Sequence, residues 1–116
     1  MVKPVIQRRA EEYVSADGHS PFRSWLIGIT DGRAKAKVTK AIKQMEAGNF
    51  GDHKAITDSG GLKERRINYG SGYRIYYITE GSELIILFAG SCKADQQTSI
   101  NAAKKYLLDY KSRKAR

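Results

Sequence analysis

Leu62-Lys63-Glu64-Arg65-Arg66-Ile67-Asn68-Tyr69, then Gly70-Ser71-Gly72, then Tyr73-Arg74-Ile75-Tyr76-Tyr77-Ile78-Thr79: the reading of this stretch decides the fold. Two runs with strand-forming residues flank a short segment whose glycines accept positive φ, the signature of a β-hairpin. Placing Tyr69 opposite Tyr73 sets a register in which Arg66 faces Tyr76 and Asn68 faces Arg74. Ile67 then meets Ile75, and Arg65 meets Tyr77, on the opposite face. The isoleucine face is the natural core side, so Arg66, Asn68, Arg74 and Tyr76 are expected together on an open face.

Outward from the hairpin, Gly81-Ser82 marks a turn, and Glu83 to Ala89 is apolar enough for a central strand buried on both sides. Asp95 or Thr98 can start a last helix, with Ile100, Ala103, Leu107 and Tyr110 along its apolar side. On the N-terminal side, Ser20-Pro21-Phe22 reads as an N-cap followed by proline at the first helical position, and Phe22, Trp25, Leu26 and Ile29 recur at helical spacing. Asp31 can cap a second helix with an apolar stripe of Ala34, Val38, Ala41, Ile42 and Met45, stopped at Gly48. Val5 to Tyr13 alternates weakly and suggests an opening strand, while Asn49 to Gly61 reads as a loop. The expected fold class is α+β, in the order β-α-α-β-β-β-α, with an antiparallel meander packed against helices.

The chain has 116 residues and 13.0 kDa, a size that predicts a single domain over residues 1–116. Its longest apolar stretch, Leu84 to Gly90, is far shorter than the ~20 residues of a membrane span. The first residues show no apolar signal-like core, and a cytoplasmic location is expected. Cys92 is the one cysteine, and His19 and His53 make no metal-ligand spacing, so neither a metal nor another cofactor is expected. The net charge of +9 is concentrated. Leu62 to Tyr77 carries Lys63, Arg65, Arg66 and Arg74 against Glu64 alone, and Lys93 to Arg116 carries seven cations against Asp95 and Asp109. Such clustering points to a phosphate-bearing partner, with Lys63, Arg65 and Asn68 as candidate contacts to it. Gln96 can hydrogen-bond a base or cap the last helix.

Pro21-Phe22-x-x-Trp25-Leu26, Gly48-Asn49-Phe50-Gly51-Asp52, Gly61-Leu62-x-Glu64-x-Arg66-Ile67, Tyr69-Gly70-x-Gly72-Tyr73-Arg74-Ile75-Tyr76-Tyr77 and Lys93-x-x-Gln96 together resemble the phage-derived addiction-module killer proteins. These form a branch of the HigB/RelE side of the RelE/ParE toxin superfamily. The resemblance implies a RelE/ParE-like fold and a toxin of a type II toxin–antitoxin pair, neutralised by a cognate antitoxin, a small helix-turn-helix protein. It further implies metal-independent cleavage of messenger RNA, commonly on the ribosome. Carried over by position, Arg66, Arg74 and Lys93 match the family's basic site residues. The sequence departs from the family pattern at Arg65, where the family has leucine, and at Ser91-Cys92, where it has Gly-Asp after the glycine.

Metal-free RNA cleavage needs a base for the 2′-hydroxyl, cations for the phosphorane charge and an acid for the leaving 5′-oxygen. Arginine stays protonated, so Arg66 and Arg74 are cast as phosphate clamps, with Lys93 and Tyr76 as candidates for proton transfer. A competing explanation of Arg66 is a pair with Glu64 or Tyr76 on a solvated sheet face. Two other functions compete: a ParE-like toxin of the same fold that inhibits DNA gyrase without catalysis, and a basic nucleic-acid-binding module without catalysis.

Overall fold

The computed structural model describes residues 7–115. Along the chain lie β1 (Arg9–Glu12), α1 (Pro21–Gly28), α2 (Gly32–Glu46), β2 (His53–Ala55), β3 (Lys63–Ile67), β4 (Tyr73–Glu80), β5 (Leu84–Cys92), a 3-10 turn (Lys93–Asp95) and α3 (Gln96–Lys114). The architecture is α+β. Of the expected opening strand, Val5 and Ile6 lie outside the described residues, and β1 occupies its later part.

The helix starts follow local chemistry. Ser20 accepts the Arg23 N–H through its hydroxyl, with Pro21 opening α1 where no donor is needed. The Asp31 carboxylate accepts the N–H groups of Arg33 and Ala34 at the start of α2. Gly48 takes positive φ just beyond the end of that helix.

The five strands form one sheet in the order β1-β5-β4-β3-β2, with β1 parallel to β5 and every other pair antiparallel. β2 replaces part of the loop expected over Asn49 to Gly61, making the order β-α-α-β-β-β-β-α. Its three residues are all exposed at the sheet edge and carry no apolar alternation, so only their pairing with β3 reveals a strand.

The hairpin register also differs from expectation. Ile67, not Tyr69, pairs with Tyr73, and the loop runs from Asn68 to Gly72. Inside it, the Gly72 N–H reaches the Tyr69 carbonyl at 2.9 Å, and Gly70 and Gly72 have φ of 57° and 89°. Arg66 therefore faces Arg74, and Glu64 faces Tyr76. The slip is by an even number of residues, so the division between faces is preserved.

Both faces are covered, which corrects the expected open face. Against one, α1 and α2 bring Phe22, Val38, Ala41 and Met45 onto Ile67, Ile75, Tyr77 and Leu87. Against the other, α3 brings Ile100, Ala103 and Leu107 onto Leu62, Tyr76 and Phe88. A bulge reconciles the two sides: Tyr76 pairs with Ala89 and Tyr77 with Leu87, leaving Phe88 as the extra residue on β5. Phe88 is wholly buried and meets Tyr110 of α3 edge to face. Among the described residues no helix is long and apolar enough to cross a membrane.

At Gly90 the indole of Trp25 lies so close that an added Cβ would stand 2.1 Å from the ring. Gly90→Ala is expected to displace Trp25 and destabilise the fold by about 1–3 kcal/mol. Because Trp25 is the only tryptophan, its emission reports the change directly. A red-shifted spectrum and a lowered urea midpoint are expected; an unaltered midpoint contradicts the packing.

Candidate functional site

Glu64 is the centre of the site, and its side chain has no solvent exposure. Burying a carboxylate is costly unless cations or donors meet it. Strand alternation places Arg66 on the same face, and its Nε donates to Glu64 Oε1 at 3.0 Å. Cross-strand pairing places Arg74 beside Arg66, and its Nη1 donates to the same oxygen at 3.3 Å. From the first turn of α3, Gln96 Nε2 donates to Oε2 at 3.4 Å. Lys54, directly opposite Glu64 on β2, completes the set with Nζ 3.9 Å from Oε1.

Above this carboxylate opens a pocket of about 310 Å³, bordered by Asp52, Arg66, Asn68, Arg74, Lys93 and the hairpin loop. The Arg66 N–H donates to the Asp52 carbonyl at 2.8 Å, holding Asp52 at the rim. The Lys93 N–H donates to the Gly72 carbonyl at 3.2 Å, so the loop glycine holds the exposed Lys93 on the other side. The Arg74 side chain is mostly buried, and its Nε has no acceptor among the described residues. Two arginines, a lysine and an asparagine thus line one small space, and Asp52 is the acidic residue in its lining. The arrangement suits a phosphate group.

Of the residues singled out in the sequence, Arg66, Arg74, Asn68 and Lys93 converge on this pocket, and Gln96 meets the carboxylate beneath it. Tyr76 shares their face but is wholly buried, with its hydroxyl 2.8 Å from Ser91 Oγ, and burial pushes its phenol above the ordinary range. Lys63 and Arg65 belong to the other face. Lys63 Nζ donates to Thr79 Oγ1 at 3.4 Å. Arg65 is buried against α2, giving one N–H to Gln44 Oε1 at 2.9 Å and another to the Asn49 carbonyl at 3.4 Å. Gly51 lies over its guanidinium at φ 56°, where a Cβ would stand 2.2 Å from Nη1.

In the sequence, Glu64 and Asp52 stand within the motifs of the resemblance, Glu64 also as a competing partner for Arg66, but neither is assigned a part in the site. A signal for Glu64 was present, because Glu-x-Arg on a strand puts acid and base on one face. The Gly48–Asp52 motif contains Asp52 but does not place it beside Arg66, whose N–H holds the Asp52 carbonyl. Glu64→Ala strands Arg66 and Arg74 without their shared anion and is expected to cost about 3 kcal/mol in urea denaturation. A midpoint equal to that of the unaltered protein contradicts this role.

The profile of a family described as "Phage derived protein Gp49-like (DUF891)" matches residues 28–107, a span that includes α2, the strands β2 to β5 and every residue of the pocket. The chain is also similar to an uncharacterized protein of Haemophilus influenzae, at 43% identity over 83 residues, covering 72% of this chain and 82% of that protein. With its candidate site lying wholly within the matched span, the chain belongs to the phage-derived Gp49-like family.

Proposed function

We propose that this chain is the toxin of a type II toxin–antitoxin pair, of the RelE/ParE kind, and that it cleaves messenger RNA through the substrate's own 2′-hydroxyl. The observation that carries this reading is the convergence of Arg66, Arg74, Lys93 and Asn68 on one pocket that Asp52 also borders. Membership of a phage-derived family and the motifs shared with addiction-module killer proteins support it. Its partners are then RNA and a small helix-turn-helix antitoxin, in the cytoplasm.

In this reading the scissile phosphate sits between Arg66 and Arg74, whose permanent charge stabilises the non-bridging oxygens as the phosphorane forms. The Asp52 carboxylate accepts the 2′-hydroxyl proton while the 2′-oxygen bonds to phosphorus. As the bond to the 5′-oxygen breaks, the Lys93 ammonium gives that oxygen a proton. Asn68 contacts the adjoining nucleotide. Tyr76 and Gln96 act from beneath, holding Ser91 and Glu64 respectively.

Purified protein, supplied with ribosomes and messenger RNA, is expected to leave a 2′,3′-cyclic phosphate and a 5′-hydroxyl. A 2′-deoxy residue at the cut site should abolish cleavage. Lys93→Ala, at an exposed position, should lower the rate by about 10²–10³ while melting like the unaltered protein, and Arg74→Lys, which keeps a cation beside Glu64, should lower it by a similar factor. Cleavage at the deoxy position overturns the mechanism, and no cleavage of any RNA moves the reading to gyrase inhibition.

A further inference from the structure

Helix α2 carries Arg33, Lys35, Lys37, Lys40 and Lys43 against one acid, Glu46. That acid is engaged elsewhere, accepting the Ala10 N–H at 2.9 Å. The ion pairs among the described residues include none of the helix's cations. Lys37 instead stands with Nζ 5.2 Å from the ring centre of the half-buried Tyr69. A row of like charges on successive turns weakens a helix unless something outside it supplies the anion.

Between this row and the end of β3 lies a groove of about 330 Å³, with Lys37, Lys40 and Gln44 on one wall and Asp52, Arg66 and Asn68 on the other. Those last three also border the Arg74 pocket, so groove and pocket form one continuous trough. Its cations are spaced along α2 and then across the β3–β4 pair, a track rather than a point. A polyanion with regularly repeated charges fits a track.

We propose that the α2 groove is a second phosphate subsite, in which Lys37 and Lys40 hold the backbone of a single RNA strand running on from the Arg74 pocket. The proposal rests on the RNA-cleaving reading and adds to it the path of the strand. It favours RNA over an acidic protein segment because the trough leads directly into the pocket between the two arginines.

The test measures binding of an RNA of about ten nucleotides, 2′-O-methylated throughout to prevent cleavage, across a range of salt concentrations. Removing two phosphate contacts to a single strand should reduce the slope of log affinity against log salt by about 1.4. Lys37→Gln with Lys40→Gln is expected to show that reduction and to bind about tenfold more weakly near physiological salt. Lys104→Gln with Lys105→Gln on α3 removes the same charge from another face and should leave the slope unchanged. All these residues are exposed or half-buried, and thermal melts confirm that each protein is folded. An unchanged slope in the α2 variant, or an equal reduction in the α3 variant, overturns the subsite and leaves the cleavage reading standing. Failure of the unaltered protein both to bind this RNA and to cleave any RNA when ribosomes are supplied overturns both.

Discussion

A carboxylate removed from water dictates the geometry of everything charged around it. Glu64 draws partners from four elements: Arg66 from its own strand, Arg74 from β4, Lys54 from β2 and Gln96 from α3. This one group therefore ties the sheet edge to the hairpin and to the start of the last helix. It also bears on the choice of register. Had Tyr69 faced Tyr73, Glu64 would lie opposite Ile78 and further from Arg74, leaving a buried anion with fewer donors. The observed pairing lets the arginines, Arg66 and Arg74, face each other directly, and the shared carboxylate offsets their repulsion.

The same device keeps the pocket cationic without leaving it loose. Arginines on a bare surface spend much of their time in solvent-facing rotamers, and ordering them on a ligand costs entropy. Here each guanidinium is held by one contact to Glu64 while retaining other N–H groups. Preorganisation of this kind favours binding of an anion, because the ordering is complete before the anion arrives.

Much of the fold was legible in the residues. Ser20-Pro21 and Asp31 marked helix starts, Gly48 marked a stop, and period-two alternation assigned Arg66 and Arg74 to one face. The illegible parts have physical reasons. β2 is too short and too polar to show a pattern, and its existence depends on a partner far along the chain. The loop from Asn68 to Gly72 consumes residues that also read as strand. That α3 would cover the face of Tyr76 as well could not be read from the hairpin, since its alternation marks one buried face and says nothing of what packs on the other. At Arg65 two signals conflict: alternation puts it on the isoleucine face while its place in a basic run suggests a phosphate contact, and packing follows the alternation, setting it beneath α2 with Gln44 and Asn49 as acceptors. The site was legible as a set of cations and illegible as a geometry, because the anion that organises it looked like one more surface charge.

The parallel pairing of β1 with β5 sets an order of events for the chain as it is made. Arg9 and Leu84 are neighbours in the sheet but 75 residues apart in the sequence, and closing so long a loop is slow relative to forming a hairpin. During synthesis β1 leaves the ribosome early and finds no mate until β5 follows it. The β3–β4 hairpin, by contrast, can form as soon as its own residues emerge. Until β1 docks, the far edge of the sheet stands open, with β5 showing unpaired N–H and C=O groups to whatever is nearby.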